Sequence, residues 1–227
     1  MILRRSSGLR RRRFGCLPVL AVVGAGVVLV WAIFLRPGPL PEAQTLPISS
    51  PSVESPSLRP VAALSDITDP QARSVALFEE AGRVIMHPRC QNCHPRTDWP
   101  TQTEAMRPHI PLVTRGPDDA GAPTLRCATC HHDANFAPAG VPGNPEWKLA
   151  PLEMAWQGKT LGEICRQILD PARAHMNREE LREHMAEDPL VGWAWHPGGT
   201  RTPAPGTQAE FGGLIDAWLD SGGSCPA

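Results

Sequence analysis

The strongest constraint on this chain is a five-residue pattern that occurs twice. Residues 90–94 read CQNCH and residues 127–131 read CATCH, so both copies have the spacing C-x-x-C-H. On a helical turn this spacing brings two thiols to the same side, and an imidazole follows directly. Only 37 residues separate Cys90 from Cys127, which is too few for a separate domain around each copy. Both copies therefore belong to one fold.

This pattern is the attachment signature of c-type haem. The two thiols bond to the porphyrin, and the histidine that follows becomes the proximal ligand of the iron. We therefore predict two c-type haems as cofactors. The covalent attachment residues are Cys90, Cys93, Cys127 and Cys130, and the proximal iron ligands are His94 and His131.

Two other kinds of site would use the same cysteines. Paired C-x-x-C motifs also hold zinc through four thiolates, but such a site leaves both histidines without a role. A thioredoxin-like redox pair requires a β-α-β context, and the sequence shows no such pattern around either motif. The haem interpretation explains all six residues, so it is the one we adopt.

The start of the chain predicts a membrane anchor. Residues 1–16 contain six arginines and no acidic residue, and residues 17–35 form an uncharged, mostly apolar run. A helix of that length spans roughly 28 Å, which matches the hydrocarbon core of a bilayer. Because basic flanks stay in the cytoplasm, we expect a single-pass helix in a bacterial inner membrane and a periplasmic domain. A cleaved signal peptide is the alternative.

The rest of the chain divides into a tether and a domain. Residues 36–69 are rich in proline and lack apolar periodicity, which predicts an extended tether. Residues 70–227 then form the domain. Of the 22 basic side chains, seven lie in residues 1–36, which leaves 15 basic against 23 acidic residues and a formal charge of −8 for residues 37–227. Nucleic-acid binding requires a basic face, so no nucleic-acid partner is expected.

Four segments have apolar residues at helical spacing, namely 71–86, 160–169, 177–187 and 207–221. Three of them begin with a capping box, in which Thr or Asn is followed three residues later by Glu. These pairs are Thr160 with Glu163, Asn177 with Glu180, and Thr207 with Glu210. Residues 95–126 are rich in proline and show no long periodic segment. We therefore predict a mostly α, loop-rich domain.

The motifs and helices also resemble known proteins. A helix that leads into C-x-x-C-H and an amphipathic C-terminal helix are similar to the frame of class I cytochromes c. Residues 74–226 resemble bacterial dihaem cytochrome-like proteins labelled isoquinoline 1-oxidoreductase subunits. The matching stretches are HPRCQNCHP (87–95), RCATCHHDANFAPAGVPG (126–143), EMAWQGKTLGEICRQILDPAR (153–173), HMAEDPLVGWAWHPG (184–198) and PGTQAEFGGLIDAWLDSGGSCP (205–226). The resemblance implies a cytochrome that accepts electrons from a molybdenum hydroxylase.

The distal ligand of each iron decides between electron transfer and chemistry at an open site. We predict His109 and His184 as the distal ligands, and Met154 is the runner-up. His109 lies in the rigid loop Pro-His-Ile-Pro, and His184 lies on a short predicted helix after both motifs. Met154 is in an apolar stretch near Trp156, which resembles the methionine loop of class I cytochromes.

Cys165 and Cys225 remain once the motif cysteines are set aside. They form either a disulfide or two separate thiols, because the sequence does not show the distance between them. Five tryptophans in the domain are expected to pack against the haems and in the core. They are residues 147, 156, 193, 195 and 218.

Three functions compete on these observations. We favour a periplasmic, membrane-anchored dihaem cytochrome that carries electrons from a dehydrogenase or molybdenum hydroxylase toward the respiratory chain. The protein is then an electron-transfer subunit rather than an enzyme by itself. The alternatives are a dihaem peroxidase-like enzyme and a haem sensor, and each of them would leave one coordination position open.

Overall fold

The computed structural model describes residues 56–227. The predicted basic segment (residues 1–16), the predicted anchor (residues 17–35) and the tether as far as residue 55 lie outside the described residues. Within residues 56–227, no helix combines the length and the apolar composition needed to cross a membrane.

The described part is a helical, loop-rich fold with few strands, as the sequence predicts. Its α-helices are α1 (Pro70–Ile85), α2 (Pro88–Gln91), α3 (Leu161–Ile168), α4 (Pro171–Ala174), α5 (Arg178–Ala186), α6 (Pro189–Gly192) and α7 (Gln208–Asp220). Its strands are β1 (Thr101–Gln102), β2 (Arg107–Pro108), β3 (Gly121–Ala122) and β4 (Leu125–Arg126). Single 3₁₀ turns lie at Val61–Leu64, Cys127–Thr129, Ala137–Ala139, Leu152–Met154 and Trp193–Trp195.

The four predicted helices are confirmed as α1, α3, α5 and α7. Each of the three predicted capping boxes forms, with the Thr or Asn side chain accepting from a backbone N–H and the Glu side chain accepting in return. Because the capping residue itself is not helical, α3, α5 and α7 each begin one residue later than predicted. The capping boxes therefore set where the helices begin.

Helices α1 and α7 pack against each other at the centre of the core. The rings of Phe78 and Trp218 have centroids 4.5 Å apart, and both side chains are fully buried. Aromatic pairs at this separation stabilise a core beyond their buried area. The helix that leads toward the first motif is therefore fixed by the C-terminal helix.

Helix α5 also packs closely on α7, and a glycine permits the contact. A Cβ atom added to Gly212 would lie 2.6 Å from Cβ of Ala186, whereas one added to Gly213 would meet nothing within 4 Å. Distances below about 3.5 Å between carbon atoms are repulsive. Gly212 thus sets the spacing between these helices.

The segment before α1 packs on the domain, although the sequence predicts a tether as far as residue 69. Leu58 and Leu64 are buried among the helices. The guanidinium of Arg59 contacts the buried carboxylate of Glu80 at 2.8 Å, and Gly206 N–H donates to the carbonyl of Pro56. Two isolated leucines in a proline-rich stretch leave no periodic pattern, which is why the sequence did not show this packing.

Two small hairpins occupy the stretch between the motifs. Strand β1 pairs antiparallel with β2, and β3 pairs antiparallel with β4, which runs directly into the second motif. Strands of two residues are too short to produce the alternation by which strands are recognised. The prediction that no long helix lies in this stretch is confirmed.

Cys165 and Cys225 form a disulfide that joins α3 to the segment after α7. This settles the two possibilities that the sequence left open. In contrast, the four cysteines of the C-x-x-C-H motifs form no disulfide.

Candidate functional site

The first motif lies on a helical turn that is continuous with α2. His87 caps α2, and the backbone N–H of His94 donates to the carbonyl of Cys90 at 3.2 Å. This is an α-helical i to i−4 bond. Cys90, Cys93 and His94 are therefore carried by one turn, as the attachment chemistry requires.

A returning loop holds the first motif histidine from two directions. The Nδ1 atom of His94 lies 2.7 Å from the carbonyl oxygen of Met154. Its ring stacks on Trp156, with centroids 3.5 Å apart and planes inclined by only 7°. The backbone N–H of Trp156 also donates to the carbonyl of His94 at 2.9 Å. The ring has little freedom to rotate.

The second motif repeats this arrangement with other residues. The N–H of His131 donates to the carbonyl of Cys127 at 2.9 Å. Its Nδ1 atom lies 2.7 Å from the carbonyl oxygen of Pro142, and its ring stacks on Trp147 at 4.6 Å with a 10° inclination. Each motif histidine thus has one backbone carbonyl at Nδ1 and one tryptophan against its ring.

The hydrogen bond at Nδ1 determines which ring nitrogen can bind a metal. A carbonyl oxygen only accepts, so Nδ1 of His94 and of His131 must carry the proton. In the neutral ring, Nε2 then has a free lone pair. Metal-binding histidines are commonly held this way, by a hydrogen bond at the second nitrogen. The donor chemistry of both motifs fits iron ligation.

His109 lies beside His131, and the sequence predicts it as a distal ligand. Its Nδ1 atom is 2.8 Å from the carbonyl oxygen of Pro111, which assigns the same tautomer as in the motif histidines. The centroids of the two rings are 5.9 Å apart. At this spacing the two imidazoles could together hold one metal ion.

His184 lies within electrostatic range of His94. Its Nδ1 atom contacts the Asp188 carboxylate at 3.0 Å, and this hydrogen bond holds the pKa of Asp188 below its usual value. Desolvation, together with the nearby charges of His184 and Arg115, lowers the pKa of His94 to about 3, although its bond to Met154 opposes the shift. His94 is therefore neutral at pH 7, as a metal ligand must be.

His87 differs from these four histidines. Its Nδ1 atom accepts a hydrogen bond from the backbone N–H of Arg89, at 3.3 Å. In the neutral ring the proton is then on Nε2, so this nitrogen has no lone pair for a metal. Among residues 56–227, Nδ1 of four histidines faces a hydrogen-bond acceptor, so Nε2 is the nitrogen that can bind a metal when the ring is neutral. These four histidines are His94, His109, His131 and His184.

Met154, the runner-up distal ligand, contacts a motif histidine through its backbone. Its side chain is buried in the hydrophobic core. Its carbonyl approaches His94 at Nδ1, on the side of the ring away from Nε2. The backbone of Met154 therefore orients the motif histidine.

One cavity brings the two motifs together. It has a volume of about 800 Å³, which is large enough for a cofactor. Its wall contains three motif thiols and two of the four imidazoles, namely Cys93, Cys127, Cys130, His109 and His131. Cys93 of the first motif thus faces the same space as the second motif.

Arg115 links the backbones that carry the two motifs. Its guanidinium donates to the carbonyls of Ala150 and Pro95 and contacts Asp119 at 2.7 Å. Pro95 follows His94, and Ala150 N–H donates to the carbonyl of Cys93. The residue after Asp119 accepts from the backbone N–H of Cys127. One buried side chain therefore fixes the position of both motifs.

The thiols of the first motif are strongly protonated. Desolvation raises the pKa of Cys90 to about 12 and the pKa of Cys93 to about 11. Redox-active cysteines have lowered pKa values, because the thiolate is the reactive form. This environment disfavours a thioredoxin-like pair and is compatible with permanent attachment of a cofactor.

Within the described part of the chain, no group of three or more His, Cys, Asp or Glu side chains is arranged to hold a metal ion. The four motif thiols are thus not gathered into one tetrahedral cluster there. Comparison of the chain with protein-family models, curated proteins and solved structures gave no match.

Several residues of the site were not identified from the sequence. Pro142 contributes only its backbone carbonyl, which no side-chain pattern reveals. Trp147 and Trp156 were expected to pack against haem in general, but not to stack on particular histidines. Asp188 follows His184 at i+4, and this spacing was a usable signal for a carboxylate–histidine pair.

Proposed function

We propose that the protein is a membrane-anchored dihaem c-type cytochrome that transfers electrons in the bacterial periplasm. The observation that carries the proposal is the matched environment of the two motif histidines. His94 and His131 each have Nδ1 bonded to a backbone carbonyl and a ring stacked on tryptophan. Such rings present Nε2 in a fixed direction without reorganisation.

The residues of the chain then have defined roles. Cys90 and Cys93 attach one haem and Cys127 and Cys130 the other, and the motif histidines are the proximal ligands. Met154 and Pro142 fix the orientation and tautomer of these imidazoles through their carbonyls. The bound haems supply one-electron redox chemistry. The indole N–H of Trp156 has no partner among the described residues, as expected for a site that a cofactor completes.

The distal positions favour electron transfer over chemistry at an open site. His109 and His184 supply two further imidazoles whose Nδ1 faces an acceptor, so Nε2 is the nitrogen that could bind a metal. His109 is assigned to His131 because their ring centroids lie 5.9 Å apart, and His184 is assigned to His94 as the remaining candidate. Met154 stays the alternative distal ligand. Two protein ligands on each iron leave no position for peroxide or a gas.

The disulfide supports the proposed compartment. Disulfides persist in oxidising compartments such as the periplasm, and Cys165 is bonded to Cys225. The apolar run at residues 17–35 would anchor the chain in the inner membrane, with the domain in the periplasm. The electron donor would be a dehydrogenase, and the sequence resemblance favours a molybdenum hydroxylase. The electrons would pass toward the respiratory chain.

An absorption experiment on the full chain tests the proposal. The protein is produced with a c-type haem maturation system, purified in detergent, reduced, and measured with and without carbon monoxide. Intact mass gives the number of covalent haems. We expect two haems and a spectrum that carbon monoxide does not change.

Each other outcome has a definite meaning. If two haems are attached and one of them binds carbon monoxide, that iron has an open coordination site. This result would favour the peroxidase-like enzyme or the sensor. Absence of covalent haem from the matured chain would overturn the proposal. Retention of two covalent haems in a variant that carries both Cys90→Ser and Cys93→Ser would contradict the assigned attachment residues.

A further inference from the structure

The cavity between the motifs has a charge opposite to that of the protein. Five basic and two acidic side chains contribute to its wall, a formal charge of +3. The chain from residue 37 onward carries −8. A cationic cavity in an acidic protein is complementary to an anionic ligand.

Arg89 is the basic residue of this wall with the most unused hydrogen-bonding capacity. Its residue exposure is only 4%, yet it lines the cavity. A guanidinium has five N–H donors. Among the described residues, the carboxylate of Glu104 is the one acceptor of its side chain, and its Nε–H has no partner. Buried donors without partners are costly, so the site is incomplete without a further acceptor.

Arg201 adds a second positive charge close to Arg89. Its side chain is half-buried and lines the same cavity. Burial and the charge of Arg89 lower the pKa of Arg201, while Glu104 opposes this shift. Arg89 is paired with the half-exposed carboxylate of Glu104, whereas the Arg201 guanidinium donates to the carbonyls of Pro197, Gly198 and Gly140. An additional anion near both arginines would offset their mutual repulsion.

Two other arginines of the wall are already engaged. Arg115 uses Nη1 and Nη2 on Asp119 and three backbone carbonyls. Arg126 is paired with Asp118 through two hydrogen bonds at the surface. Arg126 therefore provides a matched control: it is an exposed arginine of the same cavity wall, and both of its Nη atoms are bonded to Asp118.

We infer that Arg89, assisted by Arg201, binds a carboxylate of the cofactor in this cavity, namely a haem propionate. This inference rests on the proposed function. Glu104 then occupies one side of the Arg89 guanidinium and the propionate another. The fork of donors on arginine suits a carboxylate better than the single ammonium of lysine does.

The test measures reduction potentials on the matured full chain. A cation beside a haem stabilises the reduced form, because reduction lowers the positive charge of the iron. Arg89→Gln is expected to lower one of the two midpoint potentials, and Arg89→Lys is expected to lower it less. Glu104→Gln is expected to shift the same potential upward. Arg126→Gln is expected to shift either potential less than Arg89→Gln does, because the Arg126 side chain is more exposed to solvent.

A second measurement separates binding from general disturbance of the fold. Resonance Raman spectra report the propionate groups directly, and the propionate bands of one haem should shift in Arg89→Gln but not in Arg126→Gln. Added acetate or inorganic phosphate should not change the wild-type potential. A potential that moves with added anion would place a free anion at Arg89 and overturn the inference.

The two proposals fail in different ways. Absence of covalent haem from the wild-type chain defeats the proposed function itself. Two covalent haems in Arg89→Gln, with potentials and propionate bands equal to those of the wild type, defeat only the carboxylate site.

Discussion

The imidazole rings of His109 and His131 lie with their centroids 5.9 Å apart and their planes inclined by 57°. Each ring is held at Nδ1 by the carbonyl of a proline, Pro111 for one and Pro142 for the other. The two rings are thus fixed by separate loops. A metal ion bound by both would require little rearrangement of either loop.

Removal of His109 should open a coordination position. In the matured His109→Ala variant we expect two covalent haems, one of which now binds carbon monoxide. The reason is that the imidazole nearest to His131 is lost while the attachment cysteines remain. His132→Ala is the matched control, because His132 follows a motif histidine but has no partner role in the proposal. If neither haem of the His109→Ala protein binds carbon monoxide, His109 is not an iron ligand.

Arg115 should be important for stability as well as for the site. It is buried, and it binds Asp119 and backbone carbonyls on both sides of the motifs. Arg115→Met leaves these acceptors without a donor, so we expect a loss of about 2–4 kcal/mol in the free energy of unfolding. Urea unfolding of the matured protein measures it. The control is Arg126→Met, which breaks an exposed ion pair with Asp118 and should change the free energy of unfolding little. Equal losses in the two variants would contradict the role of Arg115.

Glu80 should make stability depend on pH in the acid range. Burial would raise its pKa, but hydrogen bonds from Arg59 and Arg83 outweigh burial and lower the pKa to about 2. The ionised form is therefore stabilised by folding. Its contribution is complete above about pH 4.5 and is lost as the pH falls toward 2.

The corresponding variant is Glu80→Gln. At pH 7 it should lose about 2–3 kcal/mol in the free energy of unfolding, and its difference from the wild type should close as the pH approaches 2. Thermal unfolding over this pH range measures the difference. Glu79→Gln changes an exposed carboxylate on the same helix and should follow the wild type at every pH. A difference that persists at pH 2 would assign the effect to packing.

The spacing between α5 and α7 can be tested with two neighbouring glycines. Gly212→Ala places a methyl group against Ala186, and we expect it to cost about 1–3 kcal/mol through overpacking. Gly213→Ala meets no atom and should stabilise the helix by about 0.5–1 kcal/mol. Urea unfolding of both variants gives opposite signs if the contact governs the spacing. If both substitutions stabilise the protein, helix α5 moves to accommodate the added methyl group.

The sequence predicted the local features of this fold and missed the features that depend on the return of distant loops. The helices and their beginnings were predictable, because Thr160, Asn177 and Thr207 form caps with residues only three positions away. The motif residues were predictable from spacing alone. The packing of Leu58 was not, since its contacts are made by the tertiary fold.

The candidate site shows the same division. His109 and His184 were proposed from their loop and helix positions, and their tautomers became visible only through Pro111 and Asp188. The charge of the cavity was also not predictable, because its arginines are scattered along the sequence and the surrounding chain is acidic. Pairs that are far apart in sequence leave no periodic signal.

The two motif histidines find their carbonyl partners at very different distances along the chain. Pro142 follows His131 by 11 residues, whereas Met154 follows His94 by 60. A polypeptide emerges with its N-terminus first, from a ribosome or a translocon. The second motif therefore has its supporting loop shortly after it is synthesised, although it is the later one in sequence. The loop that supports the first motif is synthesised only after 60 further residues. The surroundings of the first motif are therefore completed after those of the second.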